Sequence, residues 1–101
     1  MQYVMLTFMV QPEGDYHVSE CLELGTASFG RDEREALENL TDATEVYLCT
    51  LEDLGDCRRT LEEKAIQVYS YQPTPHKVRT ARLPVGAVIY PKVMPLQRSL
   101  A

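Results

Sequence analysis

Four carboxylates fall within one short stretch of the chain, Glu13, Asp15, Glu20 and Glu23, and acids so placed raise the possibility of an RNase H-type nuclease. That chemistry needs several carboxylates converging on two metal ions about 4 Å apart. Successive side chains of a strand alternate between its faces, so Asp15 and Glu20 project to opposite sides, and Glu13 lies in the turn before them. Without a bulge they do not converge, and no metal site is expected. His17, Ser19 and Cys21, two residues apart, look like fragments of a nucleophile set, but no positioned acid completes it. They read as exposed strand residues, and His76 belongs to a Pro-rich link. No catalytic residue and no cofactor is expected.

The three cysteines, Cys21, Cys49 and Cys57, fit neither a disulfide framework nor a zinc spacing, which points to a reduced, cytoplasmic setting. No apolar run is long enough to cross a bilayer, and no membrane partner is expected. All fifteen acidic residues lie between Glu13 and Glu63, among only four arginines, so that part carries −11. From Lys64 onward six basic residues and no acidic one give +6. An acidic body suits a cation-rich partner, and a basic tail suits an anion or the body itself.

The elements that must position these groups follow from local signals. "YVMLTFMV" (3–10) is apolar on both faces, with Val4, Leu6, Phe8 and Val10 in one row and Tyr3, Met5 and Met9 in the other. It reads as a first strand covered on both sides. "QPEGD" (11–15) is turn chemistry leading into "YHVSEC" (16–21) as a hairpin, with Tyr16, Val18 and Leu22 on one face. Gly25 turns the chain into a third strand at 26–30. Asp32 followed by Glu35 is a capping box, and the helix it opens runs to about Leu54, where Gly55 supplies a left-handed stop.

In that helix Leu37, Leu40, Thr44, Tyr47, Leu51 and Leu54 recur at helical spacing, and Glu38, Asp42, Glu45, Glu52 and Asp53 take the opposite side. Twenty-odd residues make a rod of about 33 Å, whereas a six-residue strand spans about 20 Å. The helix is therefore expected to overhang its sheet, with its last turns covered either by the second helix or by another subunit; Leu51 and Leu54, with Tyr3, Met5 and Met9, are the candidate subunit contacts. A short second helix (56–66) and a fourth strand (67–71) follow. Beyond the link at 72–76, "KVRTARLP" and "GAVIYPKVMP" each suit a strand, and Pro91 and Pro95 confine the last to a sheet edge or an extended arm. The fold class is α+β: an antiparallel sheet of three to four strands covered on one face by a long helix, in the order β-β-β-α-(α)-β. Residues 1–71 form the domain, and 72–101 a β-rich tail expected to serve as an oligomerisation arm.

The run from Gly14 to Gly25, "GDYHVSECLELG", followed by "GRDEREALENL" (30–40), resembles the HicB-like antitoxin family. The residues that carry the likeness are Gly14, Tyr16, Val18, Glu23, Leu24 and Gly25, then Gly30, Asp32, Glu35, Ala36, Leu37, Asn39 and Leu40. It covers residues 3 to about 54. The chain departs at the turn, where many members have Leu-Pro-Gly-Cys and this one has Leu24, Gly25 and Thr26.

The resemblance implies a partial RNase H-like fold without nuclease activity and a role as neutralising partner of a HicA-type toxin, a small basic RNase. Toxin contact would use Glu38, Asp42 and Glu45 of the helix with Asp15 and Glu20 of the hairpin. Members of the family also carry a DNA-binding segment after this domain. Here five prolines after Tyr71 exclude any long helix, and only Lys77, Arg79 and Arg82 offer a basic ribbon that could lie along DNA. Three functions are thus carried forward, in this order: an antitoxin, a stand-alone homo-oligomer without a toxin, and a metal-dependent nuclease.

Overall fold

The first strand is longer than its apolar run. In the computed structural model, which describes residues 1–75 and 83–97, β1 spans Gln2–Glu13, β2 Tyr16–Cys21 and β3 Ala27–Gly30. Two helices follow, α1 (Glu33–Leu54) and α2 (Cys57–Glu63), then β4 (Val68–Tyr69) and β5 (Val88–Leu96). The sheet is antiparallel and five-stranded, and α1 packs on it. This is the α+β class read from the sequence, with one more strand than expected.

The turn between β1 and β2 is only Gly14 and Asp15, because Pro12 and Glu13 still pair with His17 and Tyr16. Gly14 has φ +59°, the conformation that a two-residue hairpin loop demands of its first position and that glycine adopts at little cost. β3 continues the meander beside β2. On its other edge β1 pairs with β5 along nine residues, from Gln2 opposite Leu96 to Val10 opposite Val88. The short β4 therefore shares the β2 edge of β1, opposite Tyr3 and Val4.

Residues 88–96 thus belong to the sheet of their own chain, and Met94 and Leu96 are buried in its core. The expected arm reaching to a second subunit is not where the structure puts them. Pro91 lies opposite Thr7. Thr7 directs its amide to Glu23 and its carbonyl to Leu22, both on the β2 side. Its pair with Pro91 therefore exchanges no backbone bond, and the missing donor of Pro91 faces outward, as does that of Pro95 four residues on. Of the two places these prolines allow, a sheet edge or an extended arm, the sheet edge is the one found among the described residues.

One row of β1, Val4, Leu6, Phe8 and Val10, is at most 1% exposed, and its first three join Leu40, Leu48 and Leu51 of α1 in the core. The core continues into Cys57 and Leu61 of α2, then Ile66. Of the two covers expected for the last turns of α1, the second helix is the one found: α2 packs there, and a twelve-residue strand, spanning about 40 Å, leaves the helix no overhang beyond the sheet. Leu51 is consequently core, 9% exposed, and not available to a partner, whereas Leu54 is 68% exposed. Glu52, expected on the solvent side, is 8% exposed. Its carboxylate accepts the amide of Gln97 at 3.0 Å, holding the end of β5 to the helix.

Asp32 caps α1 by accepting the amide of Glu35 at 2.8 Å. Glu35 does not return to Asp32 as in a full capping box; it takes the amide and guanidinium of Arg31. At the other end Gly55, φ +74°, bonds to Glu52 O while Asp56 bonds to Leu51 O, the paired closure of a Schellman stop. Gly30 is not a turn glycine. A Cβ there would strike the backbone nitrogen of Ala36 and lie 2.7 Å from the carbonyl carbon of Glu35. Its bareness lets the first turn of α1 approach β3.

Candidate functional site

The register decides first where the clustered acids stand. Glu13 faces Tyr16 across the hairpin, Asp15 is in the turn, and Glu20 lies opposite Met9. Glu13 and Glu20 share the sheet face away from α1, yet four residue levels separate them, about 13 Å along the strands. Among the described residues no group of three or more histidine, cysteine or acidic side chains is placed to hold a metal ion.

Glu23 has a different task. Its carboxylate accepts the backbone amide of Thr7 at 2.8 Å and the Thr7 hydroxyl at 2.7 Å, just where β2 leaves the edge of β1. The Cys21 thiol approaches the same carboxylate at 3.7 Å. A carboxylate that accepts from three donors of two neighbours inside the fold is a structural bond, not a reactive group.

The row of His17, Ser19 and Cys21 was expected at the surface, opposite the row of Tyr16 and Val18. The structure reverses this. Cys21 pairs with core Phe8 and is fully buried, and Ser19 is 3% exposed. The Ser19 hydroxyl donates to the carbonyl of Ala36 at 2.9 Å, bridging sheet and helix. Thr26 and Thr44 make a second such bridge, hydroxyl to hydroxyl at 2.9 Å. The reversal has a physical cause: α1 lies close over β2 and β3, where Gly30, Ala36 and small hydroxyl residues fit and large apolar ones do not. His17 Nδ1 is buried and has no hydrogen-bond partner. Burial, aided by the charge of Glu23, pushes the Cys21 thiol up to about 11, which leaves it protonated and unreactive.

With that row inward, the outward row of the hairpin carries the exposed aromatics. Tyr16 and Phe29 are 54% and 62% exposed and meet edge to face, ring centres 6.1 Å apart at 87°. Phe29 stands opposite Val18, so Tyr16 reaches it diagonally across the ladder. Glu13, Tyr16, Val18, Ala27, Ser28 and Phe29 line an open groove of about 530 Å³. From α1, Asn39 donates to the Phe29 carbonyl at 2.8 Å and fixes this edge of β3. The aromatic pair was not recognised from the sequence. The available signal was one aromatic on the outward row of each of two adjacent strands.

The five acids expected to meet a toxin do not form one surface. Glu38, Asp42 and Glu45 are exposed on α1, Glu20 lies on the opposite sheet face, and Asp15 is at the hairpin tip. Glu38 is already paired with Arg34 at 2.7 Å. No cation among the described residues pairs with Asp42 or Glu45. Tyr3, Met5 and Met9 are half-buried on the outward face, where the register adds Ile89, Pro91, Val93 and Pro95. Apart from buried Thr7 and the Glu23 carboxylate bonded to its hydroxyl, that half of the face is apolar. Lys77, Arg79 and Arg82 lie outside the described residues. Among those described, no helix is long and apolar enough to cross a membrane.

No family model matches the chain, and no curated protein or solved structure matches it significantly.

Proposed function

We propose that the chain is a non-enzymatic HicB-like antitoxin, working in the cytoplasm, that binds and neutralises a small basic RNase of the HicA type. The resemblance in residues 14–25 and 30–40 suggests the family. The observation that carries the binding reading is the acid left exposed after folding. Asp42 and Glu45 on α1, and Glu13, Asp15 and Glu20 on the hairpin, all stand at the surface, and the three ion pairs Arg31–Glu35, Arg34–Glu38 and Arg59–Asp56 among the described residues take up none of them. Exposed acids of one sign speed encounter with a cationic partner and exclude polyanions. The test is capture of partners from the native lysate on the tagged chain, at low and high salt. A small basic protein whose RNase activity this chain suppresses is the expected result. Recovery of the chain's own subunits alone, at both salts, would refute the antitoxin reading.

The apolar half of the outward face favours a second reading, a homo-oligomer without a toxin, because solvated sheet faces ordinarily alternate to polar residues. Sedimentation of the purified chain distinguishes a monomer from a dimer or larger assembly.

A further inference from the structure

We infer that the groove beside Tyr16 and Phe29 is the seat for an arginine-bearing segment of a protein partner. The inference rests on the reading of a cation-rich protein partner, though not on that partner being a toxin. The two rings are more than half exposed, yet the ladder to β2 and the Asn39 bond to the Phe29 carbonyl fix the strand that presents Phe29. Among the described residues, Glu13 is the one charged residue lining the groove. A guanidinium is the group that satisfies both features. Its plane stacks on aromatic faces, and its fork meets a carboxylate with two hydrogen bonds.

The competing occupants fit less well. Bases would stack on the rings, but Glu13, Asp15 and Glu20 would repel the phosphates that supply most nucleic-acid affinity. A purely apolar segment would desolvate Glu13 without pairing it. An ammonium holds its water more tightly and stacks less well. Addition of a strand at the β3 edge is obstructed because Asn39 already occupies the Phe29 carbonyl. Arg31 and Arg34 of the chain itself are held by Glu35 and Glu38. The volume exceeds one side chain, so neighbouring residues of the partner enter with the arginine.

The experiment is an NMR titration of the ¹⁵N-labelled full chain with the capped peptide Gly-Arg-Ala-Arg-Gly and its citrulline counterpart. Saturable shifts at Tyr16, Val18 and residues 27–29 are expected with the arginine peptide. Binding should be about three- to fivefold weaker with citrulline, with Phe29→Ala or with Glu13→Gln, the scale of one exposed cation–π contact. Equal response to citrulline, shifts centred on Asp42 and Glu45, or unchanged affinity in both variants would overturn the assignment. So would dimerisation abolished by Phe29→Ala, which would make a second copy the occupant. The antitoxin reading fails separately: a captured basic protein without RNase activity would refute the toxin and leave the groove standing. A captured RNase that holds Phe29→Ala as tightly as the parent chain would do the reverse.

Discussion

Glu23 and Thr7, sixteen residues apart, are joined twice: the carboxylate accepts both the backbone amide and the hydroxyl of the threonine, at 2.8 and 2.7 Å. The side chain of Glu23 thereby replaces a strand neighbour at the point where β2 has turned away and β4 has not begun. Thr7 is 1% exposed, so water cannot substitute.

Removing that carboxylate should be costly for its size. Glu23→Ala leaves a buried amide unpaired, at about 1–3 kcal/mol, which lowers the melting temperature of a domain this size by roughly 4–8 °C per kcal/mol. Glu23→Gln keeps an acceptor for the amide and should lose less. Thermal unfolding followed by circular dichroism ranks the two, and equal losses would show that charge, not the acceptor, matters.

Gly30 and Gly25 separate two reasons for glycine. Gly25 has φ +77° and open space around its missing Cβ, so Gly25→Ala should cost about 1 kcal/mol in backbone strain alone. Gly30→Ala drives a methyl into the backbone of α1 and should cost more, up to about 3 kcal/mol. Urea midpoints of the two variants test the order.

Leu51 and Leu54, one helical turn apart, should respond very differently. Leu51→Ala opens a cavity between α1 and α2 and is expected to cost about 2–5 kcal/mol. Leu54→Ala, at a surface site, should stay within about 0.5 kcal/mol. A large loss at Leu54 that grows with protein concentration would reveal a subunit contact there.

Alkaline conditions should weaken the fold. The Cys21 thiol is held up at about 11 by burial, so the folded state favours its neutral form. That stability is fully present below the ordinary thiol value of 9.0 and is lost as pH rises towards 11. Cys57, by burial, and Tyr90, by its hydrogen bond to Glu33, shift the same way. Urea midpoints at pH 8, 9.5 and 11 should fall steadily, and the fall should be shallower in Cys21→Ala. A flat profile would contradict this assignment.

The parts of the fold legible in the sequence were those written locally. Asp32, Gly55 and the spacing of Leu37, Leu40 and Thr44 delimit α1 with no outside information, and the hairpin follows from Gly14 between two β-rich runs. What escaped was set by distant partners. Pro12 looked like the end of β1, but its absent donor faces the side where β5 has already stopped at Val10, so the strand continues. Glu52 matched the solvent side of the helix, and only the backbone of Gln97, forty-five residues away, explains its burial. The hairpin faces were exchanged because a row of hydroxyl and sulfur side chains looks like surface until a helix lies close above it. The aromatic groove is a product of that exchange.

The outward-facing prolines of β5 have a consequence for crowding. Of the four residues from 89 to 95 whose backbone faces the edge that no described strand pairs, two cannot donate a hydrogen bond, so a further strand arriving there would meet an interrupted ladder. The apolar outward face would otherwise reward such recruitment by extending itself with every copy added. Pro91 and Pro95 oppose that growth at its origin, so the same two residues that mark β5 as a border also guard it against a second chain.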